Sequence, residues 1–204
     1  TAFALARFFP NRHLTSNKMA MIAFLQDHQK GIRPMNIFIT GGTGFVGSNL
    51  AARFSAQGHK VTILTRSIRK GGSFPEGVSF LEGDPAEKGP WQKSVPEHET
   101  IINLAGASIF SLWTKRKKNL IRDSRVQTTL NLVEALSERK GRETLLLSTS
   151  AVGYYGFHGD EALDESSTPG DDFLASVTSD WEASALKAKA FGARVVLCRF
   201  GIVL

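Results

Sequence analysis

The 204-residue sequence holds a single cysteine, Cys198, which excludes an internal disulfide and any cysteine-based metal site, and fits a reducing compartment. Its five histidines, His13, His28, His59, His98 and His158, stand singly and without metal-ligand spacing, so no metal site is expected. No run reaches the roughly 18 apolar residues of a membrane span, and none has a secretory apolar region with its cleavage site. Acidic residues are scarce at the start. Residues 1–34 carry Arg7, Arg12, Lys18, Lys30 and Arg33 against Asp27 alone, a net of +4 that leaves only +2 of the total +6 for residues 35–204. A domain of that charge offers no electrostatic footprint for a phosphate backbone, so nucleic acid is not expected as a partner. The run Lys115-Arg116-Lys117-Lys118 reads as a solvated helix face.

What is present divides at residue 34. Residues 1–34 lack clear periodicity and end on Gly31 and Pro34, which suits either an organellar transit segment or an upstream extension before Met35. A cytoplasmic location is expected, or an organellar one if that segment directs transit. From Met35 onward, short apolar runs alternate with helical patterns, as in βαβ units around a parallel sheet buried on both faces. Strands are expected at 35–40, 60–65, 78–82, 100–105, 143–149 and 193–199. The first helix is expected over 45–57, with Val46, Leu50 and Phe54 on one face and Gly58 as its C′ residue. A long helix over 114–139 carries Val126, Leu130, Val133 and Leu136 at helical spacing. Another covers 172–191, with Asp171 or Asp172 as N-cap.

The stretch Gly42-Thr43-Gly44-Phe45-Val46-Gly47 satisfies G-x-G-x-x-G, and with Thr40-Gly41 in front it also reads T-G-x-x-G-x-x-G. Either pattern alone is weak. Here the glycines follow an apolar strand and open an amphipathic helix inside a unit of about thirty residues. That setting lets backbone N–H groups and the positive helix end receive a diphosphate, an approach that side chains would block. A glycine-rich turn without a ligand is the plain alternative. At the end of the second strand, where an NAD site usually places a carboxylate for the ribose 2′-hydroxyl, stand Thr65 and Arg66, with Arg69 and Lys70 beyond. A guanidinium grips a 2′-phosphate that a carboxylate would repel, so NADP(H) is favoured over NAD(H) unless Arg66 is only a surface arginine.

These stretches, with Asn103-Leu104-Ala105-Gly106-Ala107, Trp113-Thr114, Asp123-Ser124-Arg125-Val126, Ser150 to Gly156, Asp172-Phe173-Leu174, Trp181-Glu182 and Arg199 to Leu204, resemble the atypical extended short-chain dehydrogenase/reductases. The branch they resemble is the NAD-dependent epimerase/dehydratase-like one, of the SDR39U1 type. The resemblance runs in order over 35–204 and implies a Rossmann-type doubly wound α/β fold, a parallel sheet of strand order 3-2-1-4-5-6. It implies an NAD(P)-binding domain at 35–204, with residues 1–34 outside it. Relatives continue into a smaller substrate-binding part, so the chain reads as C-terminally truncated. The cofactor neighbours it implies are Gly41, Gly42, Thr43, Gly44, Phe45, Val46, Gly47, Thr65, Arg66, Asn103, Leu104, Ala105, Gly106, Arg125 and Val203. Read without the resemblance, Asn103 to Gly106 are a buried strand turning at a glycine.

Catalysis is where the sequence departs from the resemblance. Ordinary members pair a general acid/base tyrosine with a lysine four residues later, plus a serine and a helix asparagine. Ser150 fits the serine. No Tyr-x-x-x-Lys exists: Tyr154 meets His158 at that spacing and Tyr155 meets Gly159. Alignment puts Val177 or a neighbour at the tyrosine position, Trp181 or Thr178 at the lysine position, and Arg125 at the asparagine's. A missing proton-transfer group costs about 10²–10⁴ in rate. Tyr154 and Tyr155 are therefore the candidate substitute donors, with Ser150 orienting a substrate oxygen; aromatic packing over the pocket is the alternative for both tyrosines. Asp160, Glu161, Asp164 and Glu165 read as solvated loop charge, Trp181 as a core anchor and Cys198 as packing. The function expected is hydride transfer between NADP(H) and a small carbonyl or alcohol substrate, as in an oxidoreductase or epimerase, with a homodimer as one form of assembly. The alternative is a non-catalytic NADP(H)-binding regulatory protein, since some relatives carry cell-division-inhibitor labels.

Overall fold

The computed structural model describes residues 33–68 and 76–203; the readings for residues 1–32 and for Arg69 and Lys70 lie outside these. Six strands, β1 (Asn36–Thr40), β2 (Lys60–Thr65), β3 (Val78–Glu82), β4 (Thr100–Asn103), β5 (Leu145–Ala151) and β6 (Arg194–Phe200), form one sheet. Every pairing is parallel and the order is β3-β2-β1-β4-β5-β6, as the resemblance implied. The helices α1 (Phe45–Ala56), α2 (Lys115–Leu136) and α3 (Phe173–Leu186) connect them. Among the described residues no helix is long and apolar enough to cross a membrane.

The uninterrupted apolar runs are explained by burial on both faces. In β1, Ile37 and Ile39 join Ala51, Val61, Ile63 and Ile102 in one core cluster. Phe38, between them, joins Leu64, Trp91, Ile101, Leu132, Leu136 and Leu146 in the other. The two layers share one sheet, and its carboxyl end is left for the loops. The order reverses between β1 and β4, which opens a crevice there.

Several boundaries differ from the expectation. β4 stops at Asn103 rather than Ala105 because the chain turns over the end of β1: the Leu104 N–H donates to the Thr40 carbonyl at 3.1 Å and the Ala105 N–H to Thr40 Oγ1 at 3.3 Å. β5 begins at Leu145, two residues late, since Glu143 and Thr144 are engaged by the Arg139 guanidinium. In α1 the buried positions are Gly47 and Ala51, while Val46, Leu50 and Phe54 are half-buried on the flank. Small residues let this helix lie close to the turn that feeds it. In α2 the buried face is Ile121, Thr128, Thr129, Leu132, Val133 and Leu136, and Val126 and Leu130 sit beside it. The expected N-cap Asp172 holds the Ala175 N–H at 2.9 Å, and Gly58, as expected, follows α1 with φ of 83°.

A 3-10 segment, Pro90–Glu97, was not anticipated. It carries Trp91 into the core at 2% exposure, against Phe38 and with its indole N–H on the Glu87 carbonyl at 3.0 Å. Trp91→Ala leaves a large cavity under β1 and β2, and is expected to lower stability by about 3–5 kcal/mol in urea unfolding followed by circular dichroism.

Candidate functional site

The crevice is built first from backbone contact. Gly41 follows β1 at φ of 69°, and a Cβ there would lie 2.8 Å from the Leu104 carbonyl carbon and 2.9 Å from the Ala105 nitrogen. A Cβ on Gly47 would meet the Gly41 oxygen at 2.4 Å and the Gly42 Cα at 2.7 Å. The loop from β1, the loop from β4 and the first turn of α1 therefore touch through backbone alone. Gly44 caps α1 in extended conformation with no side-chain cap and no acid in the first turn, so the helix's first N–H groups lack a side-chain acceptor. Thr43, Gly44 and Phe45 are exposed beside them. An uncapped helix end above a cradle that any side chain would fill fits a diphosphate.

The other expected cofactor neighbours fall along the same carboxyl edge. Arg66 is exposed at the end of β2, without an ion pair among the described residues; Thr65 is half-buried and donates its hydroxyl to the Ser67 carbonyl at 3.1 Å. Val203 is half-exposed after β6. Asn103 lies at 0% exposure, and its side chain is a strut rather than a rim group. Its Oδ1 accepts from Thr40 Oγ1 at 2.8 Å, while its Nδ2 donates to Thr129 Oγ1 at 2.8 Å and to Ser148 Oγ at 3.4 Å. β1, β4, β5 and α2 are tied in one place beneath the crevice.

Arg125 of α2 lies flat against Gly106, where a Cβ would come within 3.1 Å of its Cζ. Its Nη1 donates to the carbonyls of Ala107 at 3.1 Å and Ile121 at 2.9 Å, and the guanidinium sits 5.4 Å from the Trp181 ring centroid. No carboxylate among the described residues pairs with it, and burial pushes its pKa below the usual arginine value.

The three candidate catalytic residues come together through two residues that sequence reasoning did not single out. Ser150 is buried at 1% exposure and donates its hydroxyl to Glu182 Oε1 at 2.5 Å. Arg199 grips the same carboxylate with Nε on Oε1 at 2.8 Å and Nη2 on Oε2 at 2.9 Å. Its Nη1 donates to the Tyr155 hydroxyl at 2.9 Å, and its Cζ stands 3.5 Å from the Tyr154 ring centroid. The two tyrosine rings meet edge to face at 5.4 Å. Both lie in a short 3-10 turn, Val152–Tyr154, and its C-cap, directly after β5. The signal for Arg199 was the strand register, which puts it opposite Ser150 once β5 and β6 are neighbours. Val177 and Trp181, by contrast, are buried in α3, and the Thr178 hydroxyl is spent on the Leu174 carbonyl at 2.8 Å. Asp160, Glu161, Asp164 and Glu165 are exposed, and burial pushes the half-buried Cys198 thiol up.

A sequence profile described as the NAD dependent epimerase/dehydratase family matches residues 37–200. The chain belongs to this family. It is 38% identical over 172 residues to the Arabidopsis thaliana "Epimerase family protein SDR39U1 homolog, chloroplastic", covering 83% of this chain and 49% of that protein. It is 36% identical over 171 residues to the Bacillus subtilis "Epimerase family protein YfhF", covering 83% and 55%. Among solved structures it is similar to the nucleoside-diphosphate sugar epimerase from Corynebacterium glutamicum, at 34% identity and TM-score 0.71, covering 92% of this chain and 39% of that one. It is also similar to human epimerase family protein SDR39U1 (isoform 2) with NADPH, at 27% identity and TM-score 0.65, covering 83% and 55%. The chain thus spans about half the length of these curated relatives.

Burial pushes the Glu182 carboxyl up, but hydrogen bonds from Arg199 and Ser150 outweigh that and hold it below the ordinary glutamate range. A carboxyl depressed in the folded state adds stability above its unfolded pKa of roughly 4.3, and that stability is lost as pH falls through the lower folded value. The wild type is therefore expected to lose stability between about pH 5 and pH 3 more steeply than a Glu182→Gln/Arg199→Met variant, in denaturant melts across that range.

Proposed function

We propose that this chain is the NADP(H)-binding half of an enzyme that moves a hydride between the nicotinamide and a small carbonyl or alcohol substrate, in the manner of a reductase or an epimerase. The observation that carries the reading is the backbone cradle at Gly41, Gly42 and Gly47 under an uncapped helix end, with Arg66 exposed one strand away and without an ion pair among the described residues. The N–H groups of Thr43 to Gly47 hold the diphosphate, Thr65 and Arg66 the adenosine 2′-phosphate, and Leu104, Ala105, Gly106, Arg125 and Val203 line the path toward the nicotinamide. The NADPH named for the human relative supports this choice. The bound nicotinamide supplies or takes up the hydride at the substrate carbon. The protein's part is to hold the substrate oxygen and move its proton.

Tyr154 suits that part best, because its hydroxyl makes no hydrogen bond among the described residues, whereas the Tyr155 hydroxyl is engaged by Arg199. In the reducing direction Tyr154 gives its proton to the carbonyl oxygen, and in the oxidising direction it takes one back. Donation from Ser150 to a substrate carbonyl oxygen requires its hydroxyl to leave Glu182, whereas accepting from a substrate hydroxyl does not. A second reading, NADP(H) binding as a regulatory signal without turnover, draws support from the absence of a tyrosine and a lysine at the buried positions Val177, Thr178 and Trp181. Either role suits the cytoplasm, or an organelle if the first 34 residues direct transit, as the chloroplastic label of the Arabidopsis relative would suit.

Calorimetry on the full chain tests the cofactor: NADPH is expected to bind more tightly than NADH, and Arg66→Ala to weaken NADPH about 10–100-fold with little change for NADH. Equal affinity for the two cofactors sinks the assignment. Reduction of a panel of small aldehydes and ketones by NADPH separates the two readings, with Tyr154→Phe expected to slow turnover about 10²–10⁴-fold.

A further inference from the structure

Arg199 is committed in several directions at once. It stands at the end of β6, in register with Ser150 of β5, and with Glu182 of α3 it forms an ion pair whose side chains are only 16% and 8% exposed. Such a pair is a poor device for stability alone, because desolvating both charges offsets most of their attraction. What sets it apart is where the rest of the guanidinium goes. With Nε and Nη2 fixed on the carboxylate, the plane of the group is determined, and Nη1 is left 2.9 Å from the Tyr155 hydroxyl. The face of the same plane lies 3.5 Å from the Tyr154 ring centroid, a cation held against the electron-rich side of an aromatic ring. The planar fork of arginine can meet a carboxylate, a phenol and a ring face together; the single ammonium of lysine cannot.

The tyrosines need such a hold. They sit in a turn between Gly153 and Gly156, outside the regular strand, and both are half-buried. Their edge-to-face contact orients each ring relative to the other but not to the sheet. The backbone of the turn is tied by the Gly170 N–H on the Tyr154 carbonyl at 2.9 Å and by His158 on the Tyr155 carbonyl, and Gly153 lies against Leu174. Among the described residues the hydrogen bonds from the tyrosine side chains toward β6 and α3 run through Arg199 and Glu182.

We infer that Arg199 is the positioning residue of the site: held by Glu182, it fixes Tyr155 by hydrogen bond and Tyr154 by its ring face, so that the unengaged Tyr154 hydroxyl is presented to the crevice. This rests on the proposed reading of Tyr154 as the proton donor.

The chain contains two tyrosines in all, so tyrosine-selective labelling reports on this site alone. The 204-residue chain labelled with ¹³C-tyrosine is titrated with NADPH by NMR, with Tyr154→Phe assigning the signals. The wild type is expected to give two resolved resonances, with that of Tyr154 moving as NADPH saturates. In Arg199→Met the two resonances converge and the NADPH-induced movement largely disappears, while calorimetric NADPH affinity stays within about threefold; Arg199→Lys recovers part of the response. With 4-nitrobenzaldehyde as the probe carbonyl, kcat in Arg199→Met falls about 10²-fold while KM changes little. Because that variant leaves a buried carboxylate unpaired, Glu182→Gln/Arg199→Met is the second test, and the same loss is expected in it. Unchanged tyrosine signals, or an intact response to NADPH in both variants, overturns the inference and leaves Arg199 a structural pair. Absence of NADPH binding overturns the proposed function instead, and the tyrosine signals of the ligand-free protein still decide the role of Arg199.

Discussion

Where the strand order reverses, the backbone leaving β1 lies against the backbone leaving β4, and no side chain fits between them. Gly41 is required there twice over, for its left-handed φ of 69° and for the 2.8 Å at which a Cβ would meet Leu104. Gly47 repeats the steric half of this condition in the first turn of α1, where the helix rests on the loop it grows from. These contacts aim the helix axis, with its unsatisfied N–H groups and positive end, across the crevice rather than away from it. A larger residue at either place would lift α1 from Ile63 and Ile102 and turn that end elsewhere, so one packing constraint serves both the core and the site.

Two polar assemblies sit behind this constraint and do different work. The Asn103 assembly is fully buried and fully bonded, and its partners Thr40, Thr129 and Ser148 belong to three separate elements. A buried amide left unbonded costs far more than the net worth of its bonds, so the four elements are held in one relative arrangement. The assembly of Ser150, Glu182 and Arg199 is only partly closed. It reaches outward, through Arg199, to two aromatic groups on the rim. The first fixes the floor of the crevice, and the second connects that floor to a loop.

The strands and the glycine turn were legible because their signals are local: apolar runs with breaks, and glycines at fixed spacing before a helix. The face of α2 was read in part: Val133 and Leu136 are buried, but Thr128 and Thr129, which count as polar in a periodic pattern, are buried too, and the Thr129 hydroxyl bridges Asn103 to the Arg125 carbonyl. Trp91 was missed because an eight-residue 3-10 segment opened by Pro90 shows neither the α-helical nor the strand period. The cofactor loop could be read residue by residue. The partnership of Glu182 with Arg199 could not, since it spans a helix and a strand and follows only from the pairing of β5 with β6.

That partnership also bears on why the helix positions expected for a tyrosine and a lysine hold Val177 and Trp181. Both side chains are buried, with Trp181 over the Arg125 guanidinium and Glu182 beside it turned toward Ser150. The inward side of α3 is thus filled by packing and by one ion pair; the unpartnered donor there, the Trp181 indole N–H, does not ionise in the range a general acid needs. On the proposed reading, proton transfer moves from the helix to the turn after β5, where glycines allow Tyr154 and Tyr155 to stand at the rim. A donor on a glycine-bracketed turn is less well fixed than one on a helix, and the arginine from β6 supplies the orientation that the helix no longer does.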